Sequence, residues 1–521
     1  MDPKRTTAIA LLLSGTVLAS TACSGGDDDS SGGGEAVLAV ASDPGSLDPQ
    51  AKVDDTNLLM GLLAYDTPVT LLDGGKLAPQ VVTDWSREGN TWTLRVRKGV
   101  TCSDGTPVDG PTIAENINYI VDPKNGSAMV DVAVPAGAKA TGRGLETIVK
   151  LAAPAPFFME NLAEMPIVCG KGLKDRGTLK TETSGSGPYV LADSTAGQSY
   201  TYEARDDVTW GPDGATVKDT DIPDRLTVKV VREQSTIATL VQSGEVDIAK
   251  VSGAAAERLE KAGFDSAEKL TVGRELVFNH ESSPLADVEV RRALIATLDK
   301  TTVADIATGG DGGVANGLLA DPKICPGDTV TDVSADFDQD AAQQMLDDAG
   351  WTKGADGVRT KGGKKLTVSV VYSNQDTTNA PAVEYITQQW QAIGVDAQAN
   401  GMTQNQMDAI VFGGKGTWDG WYSVLGVSNP ATLVPFMQGK TTPDGLNFAS
   451  IDNADYNGLV EQAGAKDGAD GCDLWNDAEK AIIRDADFTP LSTVPDRYFF
   501  GDKVKVELVN GLLLPMFITT S

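Results

Sequence analysis

The strongest constraint on the fold is an alternation that persists through nearly the whole chain. Apolar runs of strand length are followed, again and again, by segments with helical character. Residues 36–41 form a short apolar run closed by Asp43, Pro44 and Gly45, the pattern of a buried strand and a turn. Residues 57–65 read as a helix, and residues 92–97 alternate as a half-buried strand ahead of the turn pair Asp104-Gly105. A helix is predicted over 112–121, entered through Pro111, and another over 235–243, ending at Gly244. A strand at 226–231 lies between them. Helices at 290–298, 340–349 and 381–392 surround a strand at 366–372. This order predicts an α/β layered architecture. About 485 residues follow the N-terminal region, more than one hydrophobic core organises, so two or three sub-domains are expected.

Residues 1–22 have the order of a secretory leader: basic Lys4 and Arg5, a mostly apolar run at 9–17, then small residues up to Ala22. The apolar run is shorter than the roughly 20 residues of a bilayer-spanning helix, and no later segment is long and apolar enough. Export without a membrane-spanning domain is expected. Cys23 comes next, and residues 24–34 read SGGDDDSSGGG, a flexible tether. The chain carries 43 Lys and Arg against 73 Asp and Glu, a net charge of −30. That balance argues against nucleic acid, whose binding neutralises phosphates with basic side chains. It argues equally against docking on anionic lipid and reads as a solubility device. Four cysteines remain after Cys23: Cys102, Cys169, Cys325 and Cys472. An even number in an exported chain suggests two disulfides, with three connectivities open. Zinc is not expected, since there is no CxxC and His280 is the only histidine.

Several motifs stand in a fixed order. Residues 77–108 read LAPQVVTDWSREGNTWTLRVRKGVTCSDGTPV, with Pro79, Trp85, Trp92, Leu94, Arg97, Gly99 and the run Ser103-Asp104-Gly105-Thr106-Pro107. Before it comes Ser46-Leu47-Asp48-Pro49, and after it Gly185-Ser186-Gly187-Pro188-Tyr189 and Ser243-Gly244-Glu245-Val246-Asp247. Phe278-Asn279 precedes Val290-Arg291-Arg292-Ala293-Leu294, followed by LDDAGW at 346–351 and QAIGV at 391–395. Together these resemble the bacterial extracellular solute-binding proteins of family 5, the dipeptide- and oligopeptide-binding-like receptors of ABC importers. The placement of Cys23 resembles a lipobox, with Ser20 where that pattern has Leu.

The resemblance implies a two-lobe, periplasmic-binding-protein-like class II fold. Lobe I is expected over 36–277 and 490–521, with an extra subdomain at 75–185, and lobe II over 278–489. Asn279 is expected at the crossing between lobes. The cysteine pairs Cys102–Cys169 and Cys325–Cys472 are favoured, because each then falls within one lobe. The implied function is capture of a peptide or peptide-like solute between the lobes and its delivery to an ABC permease and its ATPase. A glycoside, a siderophore or another metabolite is the alternative ligand, and ligand sensing the alternative role. A monomer without cofactor is implied, tethered to the outer face of the cell membrane by lipid on Cys23. A lipid anchor holds stably once two acyl chains are present.

In this family a ligand-pocket wall comes from a loop with Trp, then Asp, then Pro, and in peptide binders the Asp pairs with the ligand ammonium. Residues 418–430 read WDGWYSVLGVSNP, so Trp421 aligns but no carboxylate stands between it and Pro430. The nearest acid, Asp419, precedes Trp421. Ligand contacts are expected at Ala41, Ser42 and Asp43 beyond the first strand, and at Trp418, Trp421, Tyr422 and Asn429. The aromatics would provide rigid stacking faces.

No catalytic residue is expected. Ser266 and Lys269 have SxxK spacing, but no SDN or KTG accompanies them, and GxSxG, HExxH and the P-loop pattern are missing. Asp336, Asp338 and Asp340 have the spacing of a calcium loop, but Ala341 and Asp347 stand where an EF-hand needs Gly and Glu. These aspartates read instead as a helix N-terminus.

Overall fold

In chain order the first part runs β1 (Glu35–Val40), α1 (Asp55–Ala64), β2 (Val69–Leu72), β3 (Lys76–Pro79), β4 (Val82–Glu88) and β5 (Thr91–Val96). Then come α2 (Gly110–Val121), β6 (Lys139–Arg143), β7 (Glu146–Lys150), α3 (Phe158–Asn161), β8 (Tyr189–Thr195), β9 (Ser199–Ala204), β10 (Arg225–Val230) and β11 (Ile248–Lys250). A long strand, β12 (Asp265–Phe278), leads into the second part. There β13 (Thr367–Ser373), β14 (Asp396–Met402) and β15 (Gly420–Ser423) alternate with helices, and the long β16 (Phe488–Phe500) leads back. This computed structural model describes residues 34–52, 54–217, 220–319 and 324–521. The expected leader, Cys23 and most of the tether lie outside the described residues.

Among the described residues, the largest sheet has eleven strands. Ten run in the order β14-β13-β15-β12-β16-β11-β1-β10-β9-β8, and the short strand Gly313–Val314 pairs with β16. β1 lies between parallel β10 and β11 and is covered on both faces. Ala36, Leu38 and Val40 enter one apolar cluster, while Ala39, with Val37 beside it, enters another. This is the period-2 alternation of a strand with both faces buried.

β12 and β16 form an antiparallel ribbon that joins the two halves of the sheet. Its Asp265 end meets β11 through Tyr498, Phe499 and Phe500. Its Phe278 end meets β15. The register shifts twice between Val272 and Glu275. Such a bulge bends the strand and increases its local twist. The architecture is thus two lobes of mixed α/β structure sharing one ribbon.

Lobe I carries a second sheet, β4-β5-β7-β6, covered by α2. Trp92, Leu94, Ile113 and Ile117 pack in its core, with Trp85 against them. Asp109 caps α2 by accepting from Thr112 N, and Pro111 sits in the first turn, where its missing N–H costs nothing. The turn at Asp104-Gly105 has Gly105 at φ 78°, and Asp104 Oδ1 accepts from Thr106 N at 3.0 Å. Gly185 and Gly187 meet the end of α1 so closely that a Cβ would lie 2.3 Å from Ala64 O and 2.5 Å from Ala64 C. The glycine pattern at 185–187 therefore seats the helix against the strand that follows. Disulfides join Cys102 to Cys169 and Cys325 to Cys472.

Candidate functional site

A cavity of about 270 Å³ lies where the two lobes and the connecting ribbon converge. One wall is α1, through Asn57, Leu58, Gly61 and Leu62, continued by Tyr65, Thr67 and Leu71. Asp54 caps this helix, its side chain accepting from Asn57 N at 3.0 Å, which fixes the first turn beside the cavity. A second wall is Ala163, Glu164 and Pro166, just after α3. Lys269 and Thr271 reach it from β12, Asn510 and Leu512 from the C-terminal segment. The opposite lobe contributes Ile324 and, from the loop after β15, Gly426 and Ser428. A smaller cavity of about 70 Å³ adjoins it and shares Leu62, Tyr65, Thr67, Leu71, Ala163 and Glu164.

The smaller cavity is lined by a buried polar network. Asp66 accepts from Gln80 Nε2 and from Trp210 Nε1, each at 2.8 Å. Burial nonetheless holds its carboxyl above the ordinary carboxylate range. Glu164 opens onto both cavities. Solvent reaches it, but the surface it faces is concave, and protein enclosing the carboxyl raises its pKa. Glu160, one turn earlier, is buried, and burial pushes it up to about 7.

The lobes touch beside the cavity. Asn429 Nδ2 donates to Asn161 Oδ1 at 2.8 Å, and Asn429 Oδ1 accepts from Ala431 N to cap the helix Pro430–Met437. Gly468 N donates to Pro156 O at 2.8 Å, Arg87 pairs with Asp467, and Phe157 packs on Trp475 with ring centroids 5.8 Å apart. Behind the loop, Glu275 on β12 is fully buried, and its Oε2 accepts from Leu425 N at 2.6 Å. Burial pushes this carboxyl up to about 8, so it holds its proton at neutral pH.

The residues expected to contact ligand fall elsewhere. Trp418, Trp421 and Tyr422 are 5%, 1% and 0% exposed and belong to the core. The reason is the position of β15, which lies between β13 and β12 inside the sheet. Trp421 enters the cluster with Phe448 and Phe488 on one face, and Tyr422 enters that of Leu276 and Trp390 on the other. The expected stacking faces are therefore packing faces, which corrects the sequence reading. Asp43 is a tie rather than a cavity wall: it accepts from Gly45 N, Gly197 N and Tyr200 Oη. Ser42 Oγ lies 2.8 Å from Thr56 Oγ1. Ala41 lines a separate cavity of about 230 Å³ at the ends of β1 and β11. Asn429 stands one residue beyond the wall formed by Ser428. The expected contacts thus lie on the strand residues beside this loop, whereas Gly426 and Ser428 of the loop itself line the cavity. Glu164 and Lys269 also line the cavity, and neither lies in a recognisable motif. Pro49, from the SLDP motif, does line the cavity.

The model of the bacterial extracellular solute-binding proteins, family 5, matches residues 76–444, more than two thirds of the chain. The chain belongs to this family. Protein XP55 of Streptomyces lividans is 27% identical over 519 residues, covering 95% of this chain and 90% of the relative. The nickel-binding periplasmic protein of Escherichia coli is 25% identical over 363 residues, 67% of each chain. Among solved structures, the unliganded open form of MppA, a periplasmic murein tripeptide-binding protein known from Escherichia coli, superposes with a TM-score of 0.74. Its identity is 20%, with 93% of this chain and 97% of that chain covered. Family 5 members are substrate-binding proteins. The two-lobe fold and the cavity between lobes are those of such a receptor, and among the described residues no helix is long and apolar enough to cross a membrane.

Proposed function

We propose that this chain is the extracytoplasmic receptor of an ABC importer, that it binds a peptide or peptide-like solute, and that it does no chemistry on it. The observation that carries the reading is the cavity itself, walled by both lobes and by the ribbon between them. A ligand there contacts both lobes at once, so its binding favours the closed arrangement. The closed form then docks on a permease, which an ATPase drives. A volume of about 270 Å³ lies just below the roughly 300–1,000 Å³ of ligand pockets and suits a solute of two or three residues. MppA's description as a murein tripeptide-binding protein supports that size class. The protein acts as a monomer, held to the outer face of the membrane through lipid on Cys23.

A thermal-shift screen against oligopeptides, glycosides, siderophores and nickel tests the reading. Short peptides are expected to raise the melting temperature with concentration, because a ligand of the folded state stabilises it by mass action. A shift with glycosides or metal chelates alone contradicts the peptide assignment. For the anchor, Cys23→Ala is expected to release the protein from the membrane fraction. Retention of that variant on membranes contradicts lipidation at this residue.

A further inference from the structure

The family's ammonium-binding acid is missing from the loop after Trp421, yet the cavity holds an acid of its own from another part of the chain. Among the described residues, Glu164 makes no ion pair, although it lines both cavities. Lys52 and Lys269 line the same cavity, and neither makes an ion pair among the described residues. Lys52 Nζ donates to Pro44 O at 3.5 Å. The acids on which these lysines act are held by other partners: Asp43 by Gly197 N and Tyr200 Oη, Asp55 by Lys250.

These charges are ordered along α1. Lys52 precedes the helix, and Lys269 acts on Asp55 in its first turn. Glu164 also lines the smaller cavity, which begins at Leu62 and Tyr65 at the other end of α1 and contains Asp66. The helix dipole has the same sense, positive beside the lysines and negative beside the acids. From Asn57 to Leu62 the helix rises on the order of 7 Å. Two or three extended residues span about 7–10 Å.

We propose that the cavity selects a zwitterion: Glu164 receives the ligand's ammonium, and Lys269 with Lys52 receives its carboxylate. Glu164, supplied by the segment after α3, takes the place of the acid missing after Trp421. This assignment rests on the reading of the solute as peptide-like. A short peptide then gives the unpaired acid a cation and the unpaired lysines an anion, a charge complementarity that favours this class of ligand.

The test is native mass spectrometry of the purified protein with a randomised tripeptide mixture, offered free, N-acetylated or C-amidated. Wild type is expected to retain the free mixture at least tenfold better than either blocked form. Glu164→Gln is expected to lose that preference over the N-acetylated mixture, and Lys269→Gln that over the C-amidated one. Melting temperatures without peptide check that both variants are folded. Equal retention of free and N-acetylated peptides by wild type, or an unchanged preference in Glu164→Gln, overturns the assignment while leaving peptide binding intact. Retention of no tripeptide by wild type overturns the peptide reading and this inference together.

Discussion

Glu275 shows how much one side chain can contribute to the pH response of this protein. It is fully buried, one oxygen accepts from Leu425 N, and the other has no partner among the described residues. Its carboxyl is raised to about 8, whereas an unfolded Glu titrates near 4.3. The unfolded state therefore gives up its proton first as pH rises. The contribution of Glu275 to stability is complete below about pH 4 and is lost between there and about pH 8. Glu275→Gln, which keeps an acceptor for Leu425 N, is expected to be nearly neutral at pH 4. At pH 8 it should stabilise by on the order of a few kcal/mol. Urea denaturation at both pH values checks this, and a pH-independent difference contradicts it. Trp421 makes the opposite point about sequence reading. At 1% exposure, packed against Phe412, Phe448 and Phe488, it is a core residue. Trp421→Ala should cost about 3–5 kcal/mol in chemical denaturation, as cavity-forming aromatic truncations do. A folded variant with unaltered stability but weakened ligand binding would return Trp421 to the cleft.

Elements whose pattern is local were legible in the sequence. β1, α1, α2, β10 and the helix Gln234–Ser243 all begin and end within a few residues of where their periodicity and caps place them. Asp338 caps the helix Gln339–Asp348, as an aspartate-rich N-terminus should, by accepting from Asp340 N and Ala341 N. The ribbon of β12 and β16 was not legible. β12 opens with the polar run DSAEK, and β16 contains Pro490, Pro495, Asp496 and Arg497, all of which count against a strand. Long-range pairing between the two strands overrides these local signals. Gly273 stands at their bulge, where a Cβ would lie 2.8 Å from Ser492 Oγ and 3.0 Å from Val494 Cγ1. Gly273→Val should destabilise by about 1–3 kcal/mol through overpacking, read from urea midpoints. Asn429 separates capping from lobe contact. Asn429→Ala should cost about 1 kcal/mol from the lost cap. Asn429→Ser keeps a capping oxygen but loses the bond to Asn161, so it should hold its stability and bind ligand more weakly. Equal affinity in Asn429→Ser and wild type contradicts a role for that contact in closure.

At the scale of the molecule, the site is built from segments distant in sequence: α1, the turn at Ala163–Glu164, β12, the loop at Gly426–Ser428 and the C-terminal Asn510–Leu512. The sequence announced the two-lobe receptor through motifs that shape the fold, such as the turn at Gly105 and the close seating of Gly185 and Gly187 against α1. It did not announce Glu164 or Lys269, because they lie more than a hundred residues apart and only the folding of β12 past the segment after α3 brings them to one cavity. The central claim is that solute is held there, between α1 and the loop after β15. Isothermal titration of a bound tripeptide into wild type, Leu58→Trp and Ser428→Trp tests it most directly, since each tryptophan fills the cavity from one lobe. At least a tenfold loss of affinity in both variants, with melting temperatures preserved, is the predicted result. Unchanged affinity in both folded variants would place the ligand elsewhere and contradict the assignment.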